Sequence, residues 1–176
     1  YTNEKSISYE NRYSEIYLLQ DNQLKTLVKG RGAGIYTEMS KDKTLVGFKS
    51  INDDDLQAPA VVHVATGVVN ILEDYVWECG QVSFADDGTM AYTMGDKLIV
   101  RKGGDRKSYD LGFYTNIVKL SPDARHVAYG HIEGQYYIKN LETGAVEQVP
   151  VVDGYDGVWS PDGSKLAIQT ATGRLA

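Results

Sequence analysis

The sequence predicts an all-β fold, a β-propeller of four-stranded antiparallel blades. Three observations predict it. A Ser-Pro-Asp-Gly-type turn recurs about every forty residues, a second hairpin signal recurs between its copies, and no stretch shows helical periodicity of useful length.

The turn is clearest at Ser160-Pro161-Asp162-Gly163, between Trp159 and the apolar Leu166-Ala167-Ile168. A second copy is Ser121-Pro122-Asp123-Ala124, between Leu120 and Val127-Ala128-Tyr129. A third is Ala85-Asp86-Asp87-Gly88, and a weaker one is Ser40-Lys41-Asp42-Lys43. The starts at Ser40, Ala85, Ser121 and Ser160 lie 45, 36 and 39 residues apart. Proline presets φ, aspartate bonds its own backbone, and glycine takes the positive φ that closes the hairpin. The apolar residue before each turn ends strand A, and the apolar triplet after it begins strand B.

The second signal is a hairpin between two β-rich runs. Its turn is Thr66-Gly67 after Val61–Val64, Thr143-Gly144 after Tyr136–Leu141, Gly103-Gly104 after Leu98–Lys102, and Asp21-Asn22 after Glu15–Leu19. Each unit therefore reads strand A, Asp-Gly turn, strand B, variable loop, strand C, turn, strand D. The approximate repeats of this single domain, 1–176, are 1–39, 40–84, 85–120, 121–159 and an incomplete 160–176.

Composition fits a folded domain. The chain has 176 residues, 42% hydrophobic and 24% charged, with a formal charge of −6. That balance argues against nucleic acid or an anionic membrane as the main partner, because both favour a basic surface. No run approaches the roughly 20 apolar residues of a membrane helix, so no membrane insertion is expected. Cys79 is the only cysteine. No internal disulfide is possible, and a buried small hydrophobe is its plainer role.

At Ser160–Gly163, Ser121–Asp123 and Ala85–Gly88 the chain resembles the TolB-like propeller family, also described as WD-like repeats with a Ser-Pro-Asp-Gly signature. The resemblance covers nearly the whole chain. It implies a non-enzymatic binding scaffold for a protein, peptide or glycan, in a periplasmic, extracellular or cell-surface setting. The same repeat is similar to the substrate-gating propeller of prolyl-oligopeptidase-like serine peptidases, which is the alternative. A catalytic domain would then have to lie outside this chain.

The strands count to about four and a half units. Ser6–Tyr9 reads as a strand B at the start, and Arg174–Ala176 as the beginning of a strand C at the end. The expectation is a part of a larger ring, with an exposed apolar blade face and a second chain as one way to complete it. A closed four-bladed ring is the other expectation.

Strand order places the A–B and C–D turns on one face, and the B–C loops and D–A crossovers on the other. The second face varies most, so partner binding is expected there. The longest B–C loop is read as Lys49–Pro59, with Asp53, Asp54 and Asp55 as candidates for a cation or a basic partner. A solvated acidic loop is the plainer alternative. Tyr75, Trp77, Tyr114, Tyr155 and Trp159 fall in or near the crossovers and are candidates to floor a pocket, against the alternative of packing between blades.

Asp42, Asp87, Asp123 and Asp162 read as turn-fixing residues. His63, His126 and His131 are too few and too scattered for a metal site, although His126 and His131 flank one strand B and are placed near one rim. Lys102, Arg106 and Lys107 read as a solvated C–D turn, and Gly30–Gly34 as a flexible crossover. There is no Gly-x-Ser-x-Gly elbow, phosphate loop or His-Glu-x-x-His, so neither a catalytic residue nor a cofactor is assigned.

Overall fold

A computed structural model describes residues 14–131, 133–150 and 153–170. The expected strands at Ser6–Tyr9 and Arg174–Ala176 lie outside them. Sixteen strands and no helix are present among the described residues. Three complete four-stranded antiparallel sheets sit between two half-sheets.

The first half-sheet pairs β1 (Glu15–Gln20) with β2 (Gln23–Lys29). The first complete blade runs β3 (Glu38–Met39), β4 (Leu45–Ile51), β5 (Gln57–His63) and β6 (Val69–Ile71). The second runs β7 (Ser83–Phe84), β8 (Met90–Met94), β9 (Lys97–Lys102) and β10 (Asp105–Asp110). The third runs β11 (Val118–Leu120), β12 (His126–Gly130), β13 (Tyr136–Asn140) and β14 (Val146–Val149). The last half-sheet pairs β15 (Gly154–Trp159) with β16 (Leu166–Thr170). The first half-sheet thus supplies strands C and D, and the last supplies strands A and B.

Four apolar clusters fill the four spaces between neighbouring sheets. Ile16 and Val28 meet Val46, Phe48, Ala60 and Val62 in the first. Val61 turns the other way to join Val82, Phe84, Tyr92 and Ile99. Ala91 and Leu98 then meet Val118, Leu120 and Val127. Ala128 and Tyr136 meet Ile168. Adjacent residues such as Ala60 and Val61, or Leu98 and Ile99, serve opposite faces of one blade. This is the period-two pattern of strands buried on both sides. The half-sheets leave apolar side chains exposed, among them Leu19, Leu24 and Val158.

The innermost strands carry a polar chain around the axis. Glu38 of β3 accepts hydrogen bonds from Ser83 Oγ (2.9 Å) and Phe84 N (2.8 Å) of β7. Lys119 of β11 lies 3.6 Å from Glu38 and 3.7 Å from Asp156 of β15. Neighbouring blades are therefore tied together by charge and hydrogen bonding as well as by apolar packing.

Three local expectations change. Lys49 pairs with Pro59 in the β4–β5 ladder, so the B–C loop shrinks to 52–56. Lys102, Arg106 and Lys107 are strand residues flanking a two-glycine turn. Lys102 binds Asp87 (2.6 Å) and Arg106 binds Glu73 (2.9 Å). The glycine-rich crossover is packed: Ala33 is fully buried, and Arg31 donates to the Asn52 carbonyl (3.1 Å) and pairs with Asp55.

Candidate functional site

The two rims of the arc are built differently. On the turn rim, Ser40, Ser121 and Ser160 each donate through Oγ to the aspartate two residues on, at 2.7, 2.6 and 2.6 Å. The same oxygens accept from the backbone N–H of Leu45, His126 and Lys165. Asp42, Asp123 and Asp162 in turn accept from the N–H of Thr44, Arg125 and Ser164, each at 3.0 Å. These bonds hold all three carboxylates below the usual range, the serine hydroxyl being the largest cause. Asp87, whose repeat has Ala85 in place of serine, takes Lys102 instead and falls to about 2.

Neighbouring turns also touch one another. Lys41 pairs with Asp86 at 3.4 Å, and Asp86 N–H donates to the Pro122 carbonyl at 2.9 Å. The carboxylates of this rim hold the hairpins in shape.

The loop rim is hollow. A cavity of about 570 Å³ is bounded by the crossover carrying Phe113, Tyr114, Thr115, Asn116 and Ile117, by the B–C loop with His131, Glu133 and Gly134, and by Asp153, Gly154 and Tyr155. Tyr36 and Glu78 close it on the side of the earlier blades. A second lobe of about 400 Å³ shares Tyr36, Glu78, Tyr114 and Asn116 with the first and adds Lys49, Gln57 and Trp77. Trp77 is 74% exposed and Tyr155 52%.

The wall between the lobes is rigidly built. Asn116 Oδ1 accepts from Lys49 Nζ (2.8 Å) and from the Tyr114 hydroxyl, which also reaches the Cys79 carbonyl (3.2 Å). Burial pushes the Tyr114 hydroxyl upward, and the nearby Cys79 and Glu78 add to it. Behind the wall, Thr93 Oγ1 donates to the Thr115 carbonyl at 2.6 Å, over Gly80. A Cβ on Gly80 would stand 2.2 Å from Thr93 Oγ1, so only glycine fits there. Cys79 is fully buried, and burial pushes its thiol up to about 12, which leaves it the inert packing residue expected. His131 stands edge-on to Phe113 at 4.4 Å and forms part of the cavity wall.

Of the candidate residues, Trp77, Tyr114 and Tyr155 line these lobes. Asp53, Asp54 and Asp55 line neither. Asp55 pairs with Arg31, and the Asn52 side chain caps the tight turn at the N–H of Asp54 and Leu56. Tyr75 bonds Ser50 Oγ at 2.9 Å. Trp159 ends β15 next to the turn rim, where its indole N–H donates to the Lys119 carbonyl at 2.9 Å.

His126 and His131 lie at opposite ends of β12, on opposite rims, and His63 bonds Asn70 in another blade. Among the described residues no group of His, Cys, Asp and Glu is placed to hold a metal ion. Glu78, Phe113, Asn116, Glu133 and Asp153 were not singled out from the sequence. Glu78, Phe113, Asn116 and Asp153 lie in crossovers between blades, and Glu133 in the loop between β12 and β13.

No known family profile matches the chain. No curated protein matches it either. Solved structures do. TolB from Acinetobacter baumannii superposes with a TM-score of 0.70 at 18% identity, over 96% of this chain and 49% of that one. The Cps50 (Swd1) β-propeller domain of Myceliophteria thermophila superposes with a TM-score of 0.66 at 15% identity, over 84% and 51%. The chain spans about half the length of these structures. At such identities the likeness speaks to fold.

Proposed function

Starting from a TolB-like, WD-like β-propeller fold, we propose that this chain is a non-enzymatic binding scaffold whose loop rim takes a segment of a peptide or protein partner. One observation carries the proposal: the loop rim holds two adjoining lobes that share Tyr36, Glu78, Tyr114 and Asn116, with aromatic walls and an exposed tryptophan lining the second. Concave sites walled by aromatic side chains with a few polar groups are the usual form of a binding pocket. Exposed tryptophan and tyrosine are the residue types that carry most binding energy at protein interfaces. Two adjoining lobes with a shared wall suit successive side chains of an extended segment better than one compact small molecule. A periplasmic or surface location belongs to the same proposal and is supported by the TolB likeness.

Selection of peptides on the immobilised chain from a displayed library tests this. Selected peptides are expected to lose at least about tenfold in affinity on Trp77→Ala or Tyr155→Ala, the scale of an aromatic hot spot. They are expected to be indifferent to Asp105→Asn on the turn rim. Peptides that bind regardless of both aromatic substitutions would refute the assignment of the site.

A further inference from the structure

We propose that the larger lobe is a receptor for a cationic side chain, lysine or arginine, presented by the bound peptide. This rests on the proposal that the loop rim binds a peptide, and names the chemistry that it selects.

Three carboxylates from three separate connections face one hollow: Glu78, Glu133 and Asp153. None of the described residues lining that lobe is a lysine or an arginine. Lys49, the lysine of the adjoining lobe, donates to Asn116, and the imidazole of His131, in the wall of the hollow itself, lies 4.0 Å from Glu133. The turn rim is the internal control. Its aspartates are satisfied by serine hydroxyls, backbone N–H groups and lysine, and the hairpins need them. Among the described residues Glu78 and Asp153 have no such partner, so no turn or ladder accounts for their charge.

The aromatic walls make the recess more than a cluster of acids. Phe113, Tyr114 and Tyr155 line the same space, and cations are attracted to aromatic rings. Carboxylates set among low-dielectric walls focus a negative potential into the hollow and repel acidic segments. The volume, about 570 Å³, is within the roughly 300–1,000 Å³ of small-ligand sites. That is room for a long basic side chain and part of its backbone.

The test is calorimetric titration at low salt with four end-blocked tetrapeptides: tetra-arginine, tetra-lysine, tetra-serine and tetra-glutamate. Three proteins are compared: the unaltered chain, the Glu133→Gln/Asp153→Asn double variant, and the Asp105→Asn/Glu142→Gln double variant on the turn rim. Both doubles remove two negative charges, so net charge is matched. The basic peptides are expected to bind. The cavity double should weaken them by about tenfold, the scale for losing close charge partners across a binding interface. The turn-rim double should leave them nearly unchanged. All four substitutions are near-isosteric and on exposed residues. If the cavity double loses its cooperative melt, Glu133→Gln alone carries the same comparison.

Equal weakening by the two doubles would mean diffuse attraction to an acidic protein and would overturn the proposal. Binding of tetra-serine or tetra-glutamate that is lost on Tyr155→Ala would overturn the cationic assignment and leave the peptide site standing. Binding of every peptide that ignores both Tyr155→Ala and Trp77→Ala, or no binding at all, would bring down both.

Discussion

The turn rim and the loop rim use the same residue types to opposite ends. On the turn rim, aspartate is a structural part: it closes a hairpin, binds the serine two residues earlier and caps a backbone N–H. On the loop rim, Glu78, Glu133 and Asp153 border a hollow, and among the described residues none of their carboxylates caps a backbone N–H as the turn aspartates do. The difference follows from repetition. The turns must repeat because every blade needs the same hairpin, whereas the crossovers only have to span from one outer strand to the next inner one. Sequence freedom collects where geometry is least constrained, and a site can be built there without disturbing the blades.

The largest effect is expected where the two regions meet the core. Gly80 lies under the wall between the lobes, against Thr93 Oγ1 and the Thr115 carbonyl. Gly80→Ala must push Thr93 aside and break its 2.6 Å bond to Thr115. Overpacking of a buried contact costs about 2–3 kcal/mol. Urea unfolding should show that loss, and aromatic-dependent peptide binding should weaken with it. Unchanged stability would mean that the wall is free to shift.

A single turn should cost less. Ser121 is fully buried, and its Oγ serves both Asp123 and the His126 N–H. Ser121→Ala leaves the partly buried His126 N–H without its acceptor, at about 1–2 kcal/mol. Peptide binding on the opposite rim should not change. A fall in affinity matching the fall in stability would mean that the rims are coupled through the blade.

Acid should separate the rims as well. The turn aspartates all have folded values lowered from 3.8, to about 2 for Asp87 and Asp162. A carboxylate with a lowered folded value adds stability that is complete above its unfolded value and lost as pH falls through the folded one. Stability should therefore decline from about pH 4 toward pH 2. Asp87→Asn, measured by urea midpoint at each pH, should flatten that decline by removing one titrating group. A profile identical to that of the unaltered chain would show that Asp87 contributes nothing to it.

Much of this architecture was legible in the sequence because it repeats. Four copies of one turn, at blade spacing, gave the strand order, and strand order fixed which connections share a face. The site was only partly legible. Trp77, Tyr114 and Tyr155 stood out as aromatics in crossovers. Glu78, Glu133 and Asp153 did not, because an isolated acid in a loop reads as solvated until the fold shows which loops converge. Asp53–Asp55 show the reverse. A run of acids looks like a site, but Asn52 folds it into a turn and Arg31 binds its last member. Pro59 reads as the end of a loop, yet it sits in β5 opposite Lys49.

The smallest expected effect is a gain, and it concerns how faithfully each turn follows its own pattern. The fourth residue of every turn has a positive φ: 61° at Lys43, 81° at Gly88, 59° at Ala124 and 70° at Gly163. Two repeats place glycine there and two do not. A side chain in this left-handed conformation is strained, and glycine is not. Ala124→Gly should therefore stabilise the chain, by about 0.5–1 kcal/mol after the added freedom of the unfolded glycine is subtracted. Gly163→Ala should destabilise it by a similar amount. Binding on the loop rim should be unaffected by either, because no residue of the turn reaches it. If Ala124→Gly instead destabilises, the alanine methyl group must be held by packing against Leu120, Val127 and their neighbours, the cluster that it borders. The turn of that repeat would then be fixed by its contacts rather than by its backbone.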